Sequence, residues 1–440
     1  MKLQPAIHFR ISKGKTSAED RANLDRRWRV RFLLLAPHRL GFFLALVVLV
    51  TSGAWWALVQ FDRVSGELAL PYALSPSLVH AAVMTFGFIP LFFSGFLFTA
   101  GPKWLGVPSL QARQLVMPLL LQASGWLLWV VGSHLYLSLA LAALFMGEIG
   151  LTWITVLFWR LIRLSQAEDR LHALTIGVAC VVGCLSLGGL LLSLMLDAPA
   201  VARACVLTGL WGFVLVVFVT VAHRMIPFFT SSAMPLITVW RPFWALGLML
   251  AAAAAEVGAV WVELNGPLQG AAGAAWTLAR GVFELLAGGV LVWLALVWGL
   301  MQSLKNRLLA MLHIGFLWFG LALVLGGISQ LLGLVQGTPV LSLGALHALT
   351  MGSLASLMFA MVTRVSCGHS GRALVADNFI WSLFWLLQAT TLLRLTAALQ
   401  SGAAAWLLLL AALLWTTLMA VWAGRLAGWY GRLRADGRGG

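Results

Sequence analysis

The chain has 440 residues, of which 61% are hydrophobic and only 10% are charged, and its formal net charge is +15 at pH 7. Soluble domains carry about 25% charged residues, so this composition excludes a soluble globular fold. Apolar runs of about 20 residues or more recur along nearly the whole chain, and that length crosses a hydrocarbon core of roughly 30 Å. The sequence therefore predicts an all-α, polytopic integral membrane protein.

Twelve membrane-spanning helices are predicted, separated by turn-forming or charged clusters such as Gly101-Pro-Lys-Trp104. In chain order they are 40–60, 77–101, 114–133, 135–159, 171–196, 204–223, 242–263, 271–301, 307–334, 341–363, 376–399 and 402–424. The division between the third and fourth spans is the weakest, so ten or eleven spans remain open. The predicted bundle, residues 39–424, lies between two basic tails, residues 1–38 and 425–440.

The basic residues are divided unequally between the two sides of the membrane. With the N-terminal tail in the cytoplasm, 25 of the 29 Lys and Arg residues fall on the cytoplasmic side. Only Arg63, Arg203 and Arg394 fall outside, and Arg280 lies within a span. The positive-inside rule then predicts that both termini are cytoplasmic. A basic tail lying against anionic lipid headgroups accounts for the net charge without a nucleic-acid partner.

Two histidines lie inside uncharged hydrophobic runs, and each is followed four residues later by a methionine. The pairs are His80 with Met84 in the second span and His347 with Met351 in the tenth. Residues four apart share a helix face, and imidazole and thioether groups bind haem iron or soft metals. Topology predicts that both histidines lie in one layer of the outer half of the membrane. The alternatives are that the histidines join helices by hydrogen bonds and that the methionines only pack.

A second set of histidines is predicted toward the cytoplasmic end. His313 enters the ninth span from the inside, His223 ends the sixth span, and His369 lies in the loop after the tenth. We take His313 as a further candidate cofactor ligand, and His223 and His369 as candidate metal ligands beside His80 and His347. No Cys-x-x-Cys-His sequence is present, which excludes covalent c-type haem. No phosphate-binding glycine loop is present, which argues against an ATP-driven pump.

Four charged residues are predicted inside the spans: Glu148, Glu256, Arg280 and Glu284. Arg280 and Glu284 are four residues apart and can pair on one helix face. Glu148 and Glu256 have no obvious partner in the sequence. Charged residues inside a membrane often mark ion or proton paths, so these residues predict a proton path or counter-charges for haem propionates. A purely structural ion pair remains the alternative.

Longer motifs around these residues resemble the NnrS family. The matching segments are His80–Phe88, Gly95–Ala100, Pro102-Lys-Trp104, Arg224–Thr230, Leu312–Gly315, the block from His347 to Arg364, and Gly368–Arg372. NnrS proteins are bacterial inner-membrane proteins of about twelve spans, associated with the response to nitric oxide and reported to contain haem and copper. The resemblance implies the same membrane, the same response and the same cofactors for this chain, and it adds Arg364 to the polar residues of interest.

The second span departs from the family pattern, which reads His-x-His-Glu-Met. Ala82 and Val83 replace the second histidine and the glutamate. This loss of two donors weakens the expectation of copper. Haem bound non-covalently (b-type) by His80 and His347 is the predicted cofactor, because bundle cofactor sites take ligands from facing helices. Nitric oxide is the expected small-molecule ligand.

Three functions of different classes follow from the sequence. The first is a haem protein that binds or detoxifies nitric oxide, or protects cellular iron from it. The second is a proton-coupled transporter of a small molecule or metal complex, using Glu148, Glu256 and the pair Arg280 and Glu284. The third is a structural or sensory membrane partner. The sequence identifies no turnover reaction.

Overall fold

The computed structural model describes residues 27–234, 240–266, 268–337, 340–399 and 402–436. Within these residues all regular structure is helical. Twelve helices are long and apolar enough to span a membrane, which confirms the predicted fold class and the predicted number of spans. Most of the predicted N-terminal tail, residues 1–26, and the last four residues of the C-terminal tail lie outside the described residues.

The spanning helices are numbered α1 to α12 in chain order. They are α1 Pro37–Ser65, α2 Pro76–Leu105, α3 Ala112–Leu135, α4 Leu137–Leu164, α5 Leu171–Met195, α6 Pro199–Ala233, α7 Phe243–Leu264, α8 Gly270–Val297, α9 Arg307–Gln336, α10 Leu343–His369, α11 Asn378–Leu399 and α12 Ala404–Tyr430. The weakest predicted division is real. It falls at Tyr136, the single extended residue between α3 and α4.

Helix α10 continues past the charged residue at which the sequence predicted it to end. It runs to His369 rather than to residue 363. The Arg364 guanidinium lies 3.9 Å from the centre of the Phe229 ring on α6. A cation over an aromatic face is stabilised, so Arg364 can lie within the helix rather than at its end. The prediction that His369 lies in a loop is therefore wrong, because it is the last residue of α10.

The first and last of the described segments meet at one end of the bundle. The Trp28 indole donates a hydrogen bond to the carbonyl oxygen of Ala427 at 3.0 Å. Helix α12 runs to Tyr430, past its predicted end, and Arg425 near its end pairs with Asp377 from the segment before α11. We call this end of the bundle the terminal end and the opposite end the far end. The charge pattern predicts that the far end faces outward.

Small residues let some helices pack backbone to backbone. On α8, Gly281 and Gly288 face Gly327 and Gly320 of α9, and a Cβ atom on Gly288 would lie 2.7 Å from the carbonyl oxygen of Gly320. Van der Waals contact of this kind drives helix association in lipid, where the hydrophobic effect between helices is absent. Helix α8 is thereby fixed against α9, and with it the intramembrane charges that α8 carries.

Three spans contain a π-helical segment. The segments are Val83–Gly87 in α2, Gly209–Leu215 in α6 and Ala348–Ala355 in α10. They lie on every fourth span, so all three helices run in the same direction. In α2 the sequence gives a cause, because Pro90 has no N–H group and the α-helix restarts at Ile89. Such segments are rare and frequently occur at functional sites, and here two of them begin just after His80 and His347.

Candidate cofactor site

A cavity of about 560 Å³ lies toward the far end, between α1, α2, α6, α10, α11 and α12. His80 and Met84 from α2 and His347 and Met351 from α10 all line it. Each histidine lies four residues after the first residue of its helix, which is about 6 Å along the helix axis. The structure therefore brings the two His-x-x-x-Met segments together at one site and at similar depth.

Most of the remaining lining is apolar. It includes Leu78, Phe88, Ile89, Val206, Leu207, Leu210, Leu346, Leu354 and Met358. The polar part of the described lining includes hydroxyl groups, Gln60 and three arginines, and no Asp or Glu. Small-molecule and cofactor sites are typically cavities of about 300–1,000 Å³ with apolar walls and a few convergent polar groups. The cavity has this form.

The His347 ring is held by its own helix. Its Nδ1 atom lies 2.6 Å from the carbonyl oxygen of Leu343, one turn earlier in α10. A carbonyl oxygen only accepts, so Nδ1 carries the proton of the neutral imidazole. The lone pair is then on Nε2. Histidines that bind metals commonly donate from their other ring nitrogen in this way, which fixes both the tautomer and the ring orientation.

The His80 ring is held by stacking. It lies on the Trp56 side chain of α1, with ring centroids 3.9 Å apart and planes inclined by 14°. Its Nδ1 atom is buried and has no hydrogen-bond partner within the described residues. Buried polar atoms normally have partners, so this nitrogen is an exception.

The other candidate metal ligands lie elsewhere. His223 contacts His172 of α5, with 3.0 Å between His172 Nε2 and His223 Nδ1, and its own Nε2 lies 3.1 Å from the carbonyl oxygen of Pro242. Because that carbonyl accepts, Nε2 of His223 carries its proton and Nδ1 accepts from His172. Both ring nitrogens of His223 are therefore occupied. In this arrangement His223 joins α5, α6 and the segment before α7.

His313 and His369 also lie away from the cavity. His313 is fully buried on α9, and its Nε2 atom lies 3.0 Å from the hydroxyl of Thr230 on α6. The ring of His369 lies against the ring of His38 at the terminal end, with centroids 4.5 Å apart. Neither residue lines the cavity that contains His80 and His347. These histidines form a separate polar layer toward the terminal end.

The intramembrane charges form a cluster centred on one arginine. Arg280 of α8 donates to Glu284 at 2.8 Å and to Glu256 of α7 at 2.7 Å, and it also pairs with Glu263. The predicted pair of Arg280 and Glu284 is confirmed. Glu256 had no obvious partner in the sequence, and the structure supplies one from the next helix, α8. Glu148 of α4 accepts one hydrogen bond from Thr152 at 2.9 Å.

Sequence reasoning did not assign four residues that line the cavity: Trp56, Arg63, Arg203 and Arg394. The three arginines are the only basic residues that the charge pattern placed outside, apart from Arg280 within its span. Their predicted position outside, against the positive-inside rule, was the sequence feature that could have identified them. Nothing in the sequence indicates the stacking of Trp56 on His80, because it depends on how α1 packs against α2.

The described residues contain no group of three or more His, Cys, Asp or Glu side chains that could hold a metal ion. Ala82 and Val83, which replace two donors of the family pattern, are fully buried in the protein.

The family assignment now rests on the whole chain. The family described as NnrS protein matches residues 32–434. The chain belongs to the NnrS family. The match includes both histidine segments and all three arginines of the cavity, and with the twelve spans it identifies a multi-pass NnrS membrane protein. Family membership supports a general role in the response to nitric oxide. Comparison with curated proteins finds no significant match.

Proposed function

We propose that this NnrS protein is a haem-binding protein of the bacterial inner membrane that acts in the response to nitric oxide. The haem would be held non-covalently in the cavity between α2 and α10. One observation carries the proposal: two histidines from different helices line a single, mostly apolar cavity. Facing side chains from two helices are the usual source of haem ligands in bundles.

The residues of the cavity fit this cofactor. His347 has its Nδ1 proton bound by Leu343, so Nε2 is the free donor atom. His80 contributes a stacked imidazole with an unpartnered nitrogen. Met84 and Met351 also line the cavity, and thioether sulfur is the other common axial donor in haem proteins. The volume of about 560 Å³ lies in the range of cofactor cavities.

A ferrous haem held by His80 and His347 would bind nitric oxide at the iron where the gas displaces one of the two imidazoles. The protein side chains would orient the imidazoles, keep water away through the leucines of the wall, and admit an apolar gas from the lipid. Nitric oxide is small and dissolves in membranes, so an apolar cavity inside the bundle suits its capture. Binding, removal and protection of cellular iron all begin with this capture, and the proposal does not require turnover.

Titration of the purified protein with ferric haem tests the proposal. We expect saturation at one haem per chain with a sharp Soret band, and a shift of that band when nitric oxide is added to the reduced protein. His80→Ala and His347→Ala should weaken binding or change the band. His313→Ala, which removes a buried histidine outside the cavity, is the matched control. The absence of saturable binding would reject the proposal.

A second function, proton-coupled transport, is favoured by the charges around Arg280. One guanidinium faces three carboxyl groups, and the side chains of Glu256 and Glu284 are only 6% and 3% exposed. Charged groups buried inside a membrane protein often mark ion or proton paths, and this cluster has more carboxyl groups than cations. Proton flux into proteoliposomes, driven by a potassium diffusion potential and read with an internal pH dye, tests this function. The flux should fall in Glu284→Gln, and an absence of protein-dependent flux would reject it.

A further inference from the structure

Three positive charges lie toward the far end of the cavity, and the described residues that line it include no Asp or Glu to balance them. Arg63 lies on α1, Arg203 on α6 and Arg394 on α11, all near the ends of these helices that meet at the far end. Arg63 and Arg203 are exposed, whereas Arg394 is half-buried. The positive charge therefore extends from the surface into the cavity.

The partners of these arginines differ from those of two other arginines of the bundle. Arg280 and Arg425 are paired with carboxylates. Among the described residues, the side chains of Arg203 and Arg394 have no hydrogen bond or ion pair, and Arg63 has only the hydroxyl of Ser77, at 3.3 Å. Arg394 is half-buried, and a guanidinium held partly out of water without an anion is costly. The three side chains are available for a bound anion.

The charge lies next to the proposed haem ligands. Arg394 lines the same cavity as His80 and His347. Arg63 lies over the ring of Trp56, with 5.2 Å from the guanidinium carbon to the ring centroid, and Trp56 stacks on His80. Most of the rest of the wall is apolar. A ligand that matches this distribution has an apolar body and carboxylates at one edge.

We propose that Arg63, Arg203 and Arg394 bind the propionate groups of the haem and thereby set its orientation, with the propionate edge toward the far end. This inference rests on the proposed function, because it specifies how the same cavity would hold the cofactor. Arginine is suited to this role, since its planar guanidinium donates two parallel hydrogen bonds to a carboxylate. The three residues are positioning residues that contact the edge of the cofactor rather than its iron.

The test compares ferric haem with its dimethyl ester, in which both propionates are blocked, by equilibrium titration of the purified protein. Each charge-assisted hydrogen bond that is lost should weaken binding by roughly 10- to 100-fold. The wild-type protein should therefore bind haem at least about tenfold more tightly than the ester. Arg394→Gln and Arg203→Gln should reduce that ratio, and Arg394→Lys should retain part of it. Arg160→Gln, at an exposed arginine of α4, is the matched control.

The outcomes separate the two proposals. Equal affinity for haem and ester in the wild-type protein would overturn the propionate assignment while leaving haem binding in place. A ratio that is unchanged in both Arg394→Gln and Arg203→Gln would also overturn it. Failure of both compounds to bind would overturn haem binding itself, and the propionate assignment with it. Because Arg203 is exposed, its variant tests the assignment even where Arg394→Gln lowers the yield of folded protein.

Discussion

At the scale of single residues, the cavity is organised by how each histidine is held. His347 is fixed by a hydrogen bond to Leu343 within its own helix, and His80 by stacking on Trp56 of a neighbouring helix. The first constraint is local and survives small movements of the bundle, whereas the second depends on helix packing. We therefore expect the two histidines to differ in their sensitivity to mutations around them.

Substitution of Trp56 tests this difference. Trp56→Ala removes the stacking partner of His80 but leaves its coordinating atoms intact, so we expect haem affinity to fall by about tenfold, in the range reported for groups that orient metal ligands. Trp56→Phe keeps an aromatic face and should retain most of the affinity. The measurement is the haem titration, with Trp153→Ala on the exposed surface of α4 as the control. An unchanged affinity in Trp56→Ala would contradict the role of stacking.

The Arg280 cluster makes a prediction about stability. Arg280→Ala leaves Glu256 and Glu284 buried without their cation, and breaking a buried pair from one side typically costs about 3–5 kcal/mol. Glu263→Gln removes a carboxylate from a side chain that is 52% exposed, so its cost should stay within about 1 kcal/mol. The measurement is the midpoint of thermal unfolding of each variant in detergent, monitored by tryptophan fluorescence. Equal midpoints would show that the cluster does not contribute to stability.

At the scale of helices, the π-helical segments bring the walls of the cavity together. Gly209 in α6 faces the ring of Phe86 in α2, and a Cβ atom at Gly209 would lie 2.1 Å from that ring. Both residues belong to π-helical segments, and Leu210 beside Gly209 lines the cavity. The contact between these two segments therefore sets the position of the wall opposite α10.

Gly209→Ala should disturb this contact. Overpacking of a tight site typically costs about 1–3 kcal/mol, and here it would also displace α2, which carries His80. Gly188→Ala is the matched control, because a Cβ atom there meets no atom within 4 Å and the exchange should be neutral or stabilising. The readouts are the unfolding midpoint and the haem affinity. A Gly209→Ala protein as stable as the control would contradict the packing argument.

At the scale of the whole molecule, hydropathy was sufficient to predict twelve spans and most of their bounds. Every backbone polar group in lipid must be bonded within its helix, so long apolar runs have few alternatives. One error occurs where a charged residue finds a partner within the bundle, as Arg364 does on Phe229. Such a partner lies in a distant segment of the chain, so the sequence of one span alone does not reveal it.

The candidate site, like the fold, could be predicted from the sequence only where it depends on single spans and their order. The His-x-x-x-Met spacing and the predicted topology were enough to place His80 and His347 at one depth. The acidic partner of Arg280 on α7 and the stacking of Trp56 on His80 were not predictable, because both depend on contacts between helices. The unpaired arginines were visible in the sequence as exceptions to the charge pattern, but their common cavity was not.

The orientation of the bundle gives a separate prediction. Both termini should be cytoplasmic, so a green fluorescent protein fused after residue 436 should fluoresce. Alkaline phosphatase fused at Asp197, in the turn between α5 and α6, should be active, because that turn lies at the far end. Inactive phosphatase at this position, combined with a C-terminal fusion that does not fluoresce, would show that the orientation is the opposite one. The cavity would then open toward the cytoplasm.

The central claim is that one haem is held by His80 and His347 from two helices. Electron paramagnetic resonance of the ferric protein reconstituted with one haem per chain tests it most directly. We predict the low-spin signal of iron with two axial imidazoles in the wild-type protein and in His313→Ala, and its loss in both His80→Ala and His347→Ala. A high-spin signal in the wild-type protein, or a low-spin signal that persists in both cavity variants, would contradict the claim.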